Sequence, residues 1–82
     1  MEVIITPKAA KQYLRLPKTE QIKIRKRLLL LEKNSAEGKK LSGTLSETRS
    51  LRAWPYRILY YVHEKEKRVY VVTIAHRHGV YK

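Results

Sequence analysis

The sequence has no cysteine, 3 glycines, 3 prolines and only 7 acidic residues among 82. Without cysteine, disulfides and thiolate chemistry are excluded. A secreted domain this small ordinarily depends on disulfide or metal staples, so a reducing compartment is the expectation. So few glycines and prolines leave little material for long flexible linkers, and they supply no phosphate-cradling glycine loop. The few carboxylates assemble neither a paired-carboxylate site nor a Ser-His-Asp order, which excludes hydrolases of those designs and nucleotide-binding enzymes. No apolar run is long enough to span a bilayer. The opening Met1 to Pro7 also lacks the charged start and long apolar stretch of a secretory signal, so a cytoplasmic location is expected.

What the sequence has in excess is positive charge: 19 Lys and Arg give a formal net charge of +12. Residues 1–41 carry 11 basic and 4 acidic side chains, and residues 42–82 carry 8 and 3, so the folded body itself is basic. Such a field attracts polyanions and speeds encounter with them. Nucleic acid leads the candidate partners, ahead of an acidic protein or an anionic membrane surface.

At this length the chain forms one hydrophobic core and one domain over residues 1–82. Glu2 to Thr6 is rich in β-branched residues and reads as a short strand. Thr6-Pro7 starts a helix, with the threonine as cap and proline in the first turn, and Ala10, Tyr13 and Leu14 are expected on one face. Pro17 interrupts it; a second helix runs from near Thr19 to about Asn34, with Ile24, Leu28 and Leu31 as its apolar stripe. Ser35 to Ser46 reads as a loop with turns at Gly38 and Gly43. Arg49 to Ala53, Tyr56 to His63 and Arg68 to His76 read as strands, the last two as an antiparallel hairpin. If His63 pairs with Arg68, Arg57 falls near Ile74. The order is β-α-α-β-β-β, an α+β domain with a helix hairpin laid on a small, mainly antiparallel sheet.

Two basic groups can contact nucleic acid. Lys23, Arg25, Lys26, Arg27 and Lys33 lie on or beside the polar side of the second helix, where Lys23, Lys26 and Arg27 are candidate RNA contacts. Arg49, Arg52, Arg57 and Arg77 sit on strands or strand ends, and their guanidinium forks match phosphate oxygens. Trp54, Tyr56, Tyr60, Tyr61, Tyr70 and Tyr81 interleave with these charges and offer faces for base stacking, although at least half should pack in the sheet. RNA cleavage by a 2'-hydroxyl needs a proton acceptor, a donor to the leaving oxygen and positive charge on the developing phosphorane. His76 or His78, Tyr81 and the arginines supply these three functions. His76-Arg77-His78 is too closely spaced for a zinc site, and no metal or small-molecule cofactor is expected.

These residues together resemble a known family. Lys40-Leu41-Ser42-Gly43, Arg49-Ser50-Leu51-Arg52 with Tyr56-Arg57-Ile58-Leu59-Tyr60, then Val71-Val72-Thr73-Ile74-Ala75-His76-Arg77-His78 and Val80-Tyr81 look like the RelE/ParE toxin superfamily. The resemblance spans nearly the whole chain. It implies a curved, antiparallel-rich sheet packed against an N-terminal helix pair, and for the RelE-like branch a toxin that cuts mRNA in the ribosomal decoding site. Carried over by position, Arg57 and Arg77 stabilise phosphate charge and Tyr81 stacks a base or assists proton transfer. His76 and His78 are candidate bases, with Arg49 and Arg52 contacting RNA. On the preceding strand, where some members alternate lysines, this chain has Thr48 and Ser50. The resemblance also implies a cognate antitoxin and an apolar groove beside the helices to receive it. Two other readings stay open: a ParE-like toxin that inhibits gyrase by binding, and a non-catalytic nucleic-acid-binding module.

Overall fold

The computed structural model describes residues 2–34, 39–40, 48–63 and 65–76. Its elements run β1 (Glu2–Ile5), α1 (Pro7–Leu14), α2 (Lys18–Lys33), β2 (Lys39–Lys40), β3 (Thr48–Ala53), β4 (Tyr56–His63) and β5 (Arg68–His76). The five strands form one sheet in the order β1-β5-β4-β3-β2, with β1 parallel to β5 and every other pair antiparallel. The architecture is the α+β arrangement anticipated from sequence. One strand is additional: the expected loop from Ser35 to Ser46 contains Lys39–Lys40, which pairs with Ser50 and Arg49. This pairing uses the free backbone edge of β3 and needs no strand-forming side chains, which is why composition does not reveal it. The expected turns at Gly38 and Gly43 lie outside the described residues.

The start of α1 is set by two polar bonds. Thr6 accepts the Ala9 amide on Oγ1 at 3.4 Å and donates the same hydroxyl to the Val71 carbonyl at 2.8 Å. One side chain therefore caps the helix and ties it to β5, while Pro7 occupies a position whose N–H would go unused. The α1 stripe keeps Tyr13 from the expectation but replaces Ala10 and Leu14. Ala9 is fully buried, Tyr13 and Leu16 pack against the core, and Leu14 is 73% exposed. Ala9 and Tyr13, four residues apart, are the positions that a helix lying across β5 turns inward, and Leu16 follows just after the helix ends. At the corner, Gln21 donates its side-chain amide to the Leu16 carbonyl at 2.9 Å, and the Pro17 carbonyl accepts from the Glu20 and Gln21 amides. The break at Pro17 is thus closed by hydrogen bonds on both sides.

Ile24 and Leu31 from α2 meet Leu51, Ala53, Ile58, Tyr60, Val69, Val71 and Ile74 from the sheet in one core. Leu28 is the partly buried third member of the α2 stripe. The β4–β5 hairpin carries a bulge: Tyr60 pairs with Val71 but Leu59 pairs with Thr73, leaving Val72 as the extra residue. His63 pairs with Arg68 as expected, but the extra residue moves Arg57 from beside Ile74 to beside Ala75. It also explains why the buried positions of β5 change parity, from Val69 and Val71 to Ile74.

Thr6→Ala removes both the helix cap and the tie to β5, so it should cost about 1–2 kcal/mol in urea unfolding. Thr6→Ser, which keeps the hydroxyl, should recover most of that loss.

Candidate nucleic-acid interface

Alternation along the strands sorts the candidate residues onto two faces of the sheet. On β4, Ile58 and Tyr60 are buried toward the helices, so Arg57, Leu59 and Tyr61 project from the other side. On β3, buried Leu51 and Ala53 face the helices, and Thr48, Ser50 and Arg52 accompany Arg57. Register then brings Arg52 directly opposite Arg57, with Ala75 as the neighbour of Arg57 on the other strand. Two arginines thus occupy directly paired positions, next to a residue too small to fill the space beside Arg57. Directly opposed like charges disfavour strand pairing, and neither arginine has an acidic partner among the described residues. The arrangement favours a bound anion between or above the two forks.

Further along the same face, Tyr61 and Tyr70 lie opposite each other with rings stacked at 5.1 Å and 22°. Tyr70 donates its hydroxyl to Glu66 Oε1 at 2.7 Å. That bond holds the Glu66 carboxyl below its ordinary range, outweighing slight desolvation, with His63 and Arg68 adding smaller attraction. The same bond raises the Tyr70 phenol. Arg68 donates Nε to Glu2 Oε1 at 3.1 Å, which joins β5 to β1 across the exposed surface. This end of the face is an internally neutralised polar cluster, and among the described residues the uncompensated positive charge sits at the Arg52–Arg57 end.

The structure does not keep all the candidates together. Arg49 is an odd number of residues from Arg52, so it lies on the helix side of the sheet, opposite Tyr60, and does not join the Arg52–Arg57 pair. His76 pairs with Tyr56 at the end of β5, its ring edge-on to the tyrosine at 5.8 Å and 83°. Tyr56 packs against the core, so His76 also stands on the helix side, away from Arg57. Arg77, His78 and Tyr81 lie outside the described residues. Lys23, Lys26 and Arg27 share one side of α2, where they line a pocket of about 380 Å³ with Leu30, Ala53 and Trp54. Lys23 is paired with Glu20 at 3.3 Å.

The opposition of Arg52 and Arg57 was accessible to sequence reasoning but not drawn from it. Residues 54–55 form a tight turn between two strand-like runs, so the residues two steps back and two steps forward must face each other. On the helix side, Ile5, Ala10, Tyr13, Leu14, Leu28 and Ile74, together with Arg25, line a mostly apolar groove of about 470 Å³. Such a groove beside the helices is what the sequence resemblance implied. No described helix is long and apolar enough to cross a membrane.

The combination of an N-terminal helix pair and a mixed sheet is that of the RelE-like toxins. The toxin–antitoxin complex RelBE2 from Mycobacterium tuberculosis superposes with a TM-score of 0.84 at 26% identity, over 93% of this chain and 96% of that one. The YoeB/ParE toxin from Agrobacterium tumefaciens gives 0.81 at 19% identity, covering 94% and 99% of the two chains. Isolated E. coli RelE gives 0.79 at 23% identity, covering 92% and 82%. The latter two establish the fold. No curated protein matches by sequence. The profile of the ParE toxin of the parDE type II toxin–antitoxin system matches residues 3–81, and the chain therefore belongs to that family, within the RelE/ParE superfamily.

Two outcomes test this description of the face. Arg52→Gln relieves the like-charge contact, so it should raise stability by up to about 1 kcal/mol at low salt, and the gain should shrink in high salt. Tyr70→Phe should return the Glu66 carboxyl toward its ordinary range, seen as a higher midpoint in an NMR pH titration. The sign follows from linkage. A lowered carboxyl contributes stability above its unfolded midpoint and loses it as pH falls through the folded one, so the variant should lose less stability than wild type on acidification.

Proposed function

We propose that this toxin is an endoribonuclease that cleaves mRNA on the ribosome and so stops translation in the cytoplasm. The observation that carries this reading is the Arg52–Arg57 pair, two forks aimed from adjacent strands beside Ala75 on a face that the helices leave uncovered. In the proposed reaction the 2'-hydroxyl of one nucleotide attacks the adjacent phosphorus. Its proton passes to a base, the bond to the 5'-oxygen breaks, and that oxygen is reprotonated. Negative charge grows on the non-bridging oxygens as the phosphorane forms, and guanidiniums fixed in place beforehand stabilise it without reorganising. Arg57 takes this role with Arg77, and Arg52 holds a neighbouring phosphate. Tyr81 stacks a base or relays a proton. His78 is the favoured base, since His76 turns its ring to Tyr56.

An antitoxin is the natural partner of this surface. The RelBE2 structure and the Pyrococcus horikoshii RelE–RelB structure are complexes of toxin and antitoxin. A segment with apolar residues for the groove and acidic ones for the +12 surface would suit this chain in the same way.

A second reading has one observation in its favour: the matching family is described by ParE and parDE. Under it the chain poisons gyrase by binding, and Arg57 is not needed to stabilise a transition state.

Primer extension on mRNA in a reconstituted translation mixture separates the two. Wild type should cut only when ribosomes are present. Arg57→Ala should lower the cleavage rate about 10²-fold or more, the usual scale for removing one preorganised transition-state donor. Intact mRNA together with loss of gyrase supercoiling would instead establish the second reading.

A further inference from the structure

The charges on α2 and the β3–β4 turn come together in a way that neither shows alone. Lys23, Lys26, Arg27 and Leu30 fall at i, i+3, i+4 and i+7, so they form a single stripe along the helix. Trp54 stands at the tip of the β3–β4 turn, 54% exposed, and with Ala53 and Leu30 it forms the apolar wall of the pocket. Leu30 is itself 39% exposed, so the wall is open to solvent along its length. Lys26 and Arg27 form no ion pair among the described residues. Lys23 is partly compensated by Glu20. A half-exposed indole held on a short turn, with cations about its rim, has the features of a nucleotide subsite: a face for the base and charge for its phosphate.

Its position relative to the arginine pair decides the ligand. Arg52 and Arg57 flank the same turn on the opposite side of the sheet, each two or three residues from Trp54. The turn is therefore a corner with positive charge on both sides, and a strand crossing it keeps its phosphates near cations throughout. A folded acidic protein has no such thread, and an acidic peptide segment brings charge but no base to lie on the indole. An extended single strand has both, and its unpaired bases are free to stack on the indole.

We propose that the pocket formed by Trp54, Lys26, Arg27 and Lys23 is a second nucleotide-binding subsite. It takes one unpaired nucleotide of single-stranded RNA, next to the one held at Arg52 and Arg57. The base lies on the indole and the phosphate is held by Lys26 and Arg27. This rests on the RNA-directed reading of the arginine pair but makes no demand on cleavage.

Trp54 is the only tryptophan, so the protein's indole emission reports this pocket alone. The full chain is titrated with a fluorescein-labelled single-stranded oligoribonucleotide without ribosomes, following indole quenching and RNA anisotropy together. Both signals should saturate at the same concentration. Trp54→Ala should weaken RNA binding about 5- to 100-fold, the range for losing one stacked base, and Trp54→Phe should stay within about 3-fold of wild type. The exposed-surface double variant Lys26→Glu, Arg27→Glu should weaken binding and flatten its salt dependence, and circular dichroism checks its folding along with the others. Anisotropy without quenching, with Trp54→Ala binding as wild type, would place RNA elsewhere and overturn the proposal. Quenching by poly-glutamate and not by RNA would overturn it in favour of an acidic peptide. Saturable RNA quenching in a chain that leaves ribosomal mRNA intact would retain the subsite and refute only the nuclease reading.

Discussion

One extra residue in β5 decides what each face of the sheet presents. Up to Val71 the buried positions of β5 are odd-numbered; past Val72 they are even, because the bulge lets two residues of β5 stand against one step of β4. Side chains alternate with a period of two, so such a shift exchanges the faces of everything that follows. It keeps Ile74 in the core, places small Ala75 beside Arg57, and turns His76 toward Tyr56 on the helix side. The core fixes this choice. Ile58 and Ile74 are opposite one another and both fully or almost fully buried, and slipping the register by one would expose an isoleucine and bury alanine in its place.

The same sheet carries a conflict between stability and binding. Opposed arginines weaken strand pairing, yet Arg52 and Arg57 face each other on the central hairpin of a chain that already has +12. Elsewhere on that face the charges are matched: Arg68 with Glu2, and Glu66 with the Tyr70 hydroxyl. Among the described residues the unmatched charge is concentrated at one end, against the β3–β4 turn, and continues around it onto α2. On the proposed reading, a bound polyanion would offset this repulsion.

Much of this protein was legible in its sequence. Thr6-Pro7, the break at Pro17, the apolar stripe of α2 and the β-branched runs of β4 and β5 mark their elements because each signal is local: a cap, a missing donor, a 3.6-residue or two-residue period. The resemblance carried by Tyr56-Arg57 and the β5 run gave the family, which the profile match over residues 3–81 establishes. Local signals do not report partners. Ala9 and Ala10 are alike in composition, and only contact with β5 shows which is inside. Lys39–Lys40 became a strand only because β3 offered a free edge.

The sequence by itself determined the charge, the element types and the residues able to meet a phosphate or a base, since these follow from side-chain chemistry and short-range periodicity. Tertiary structure decided which of them stand together. Strand parity kept Arg49 out of the Arg52–Arg57 pair, and the bulge at Val72 turned His76 away. Packing of α2 across the sheet brought Lys26 and Arg27 to Trp54. Register, parity and helix placement are set by long-range burial of the core, and no stretch of sequence encodes them on its own.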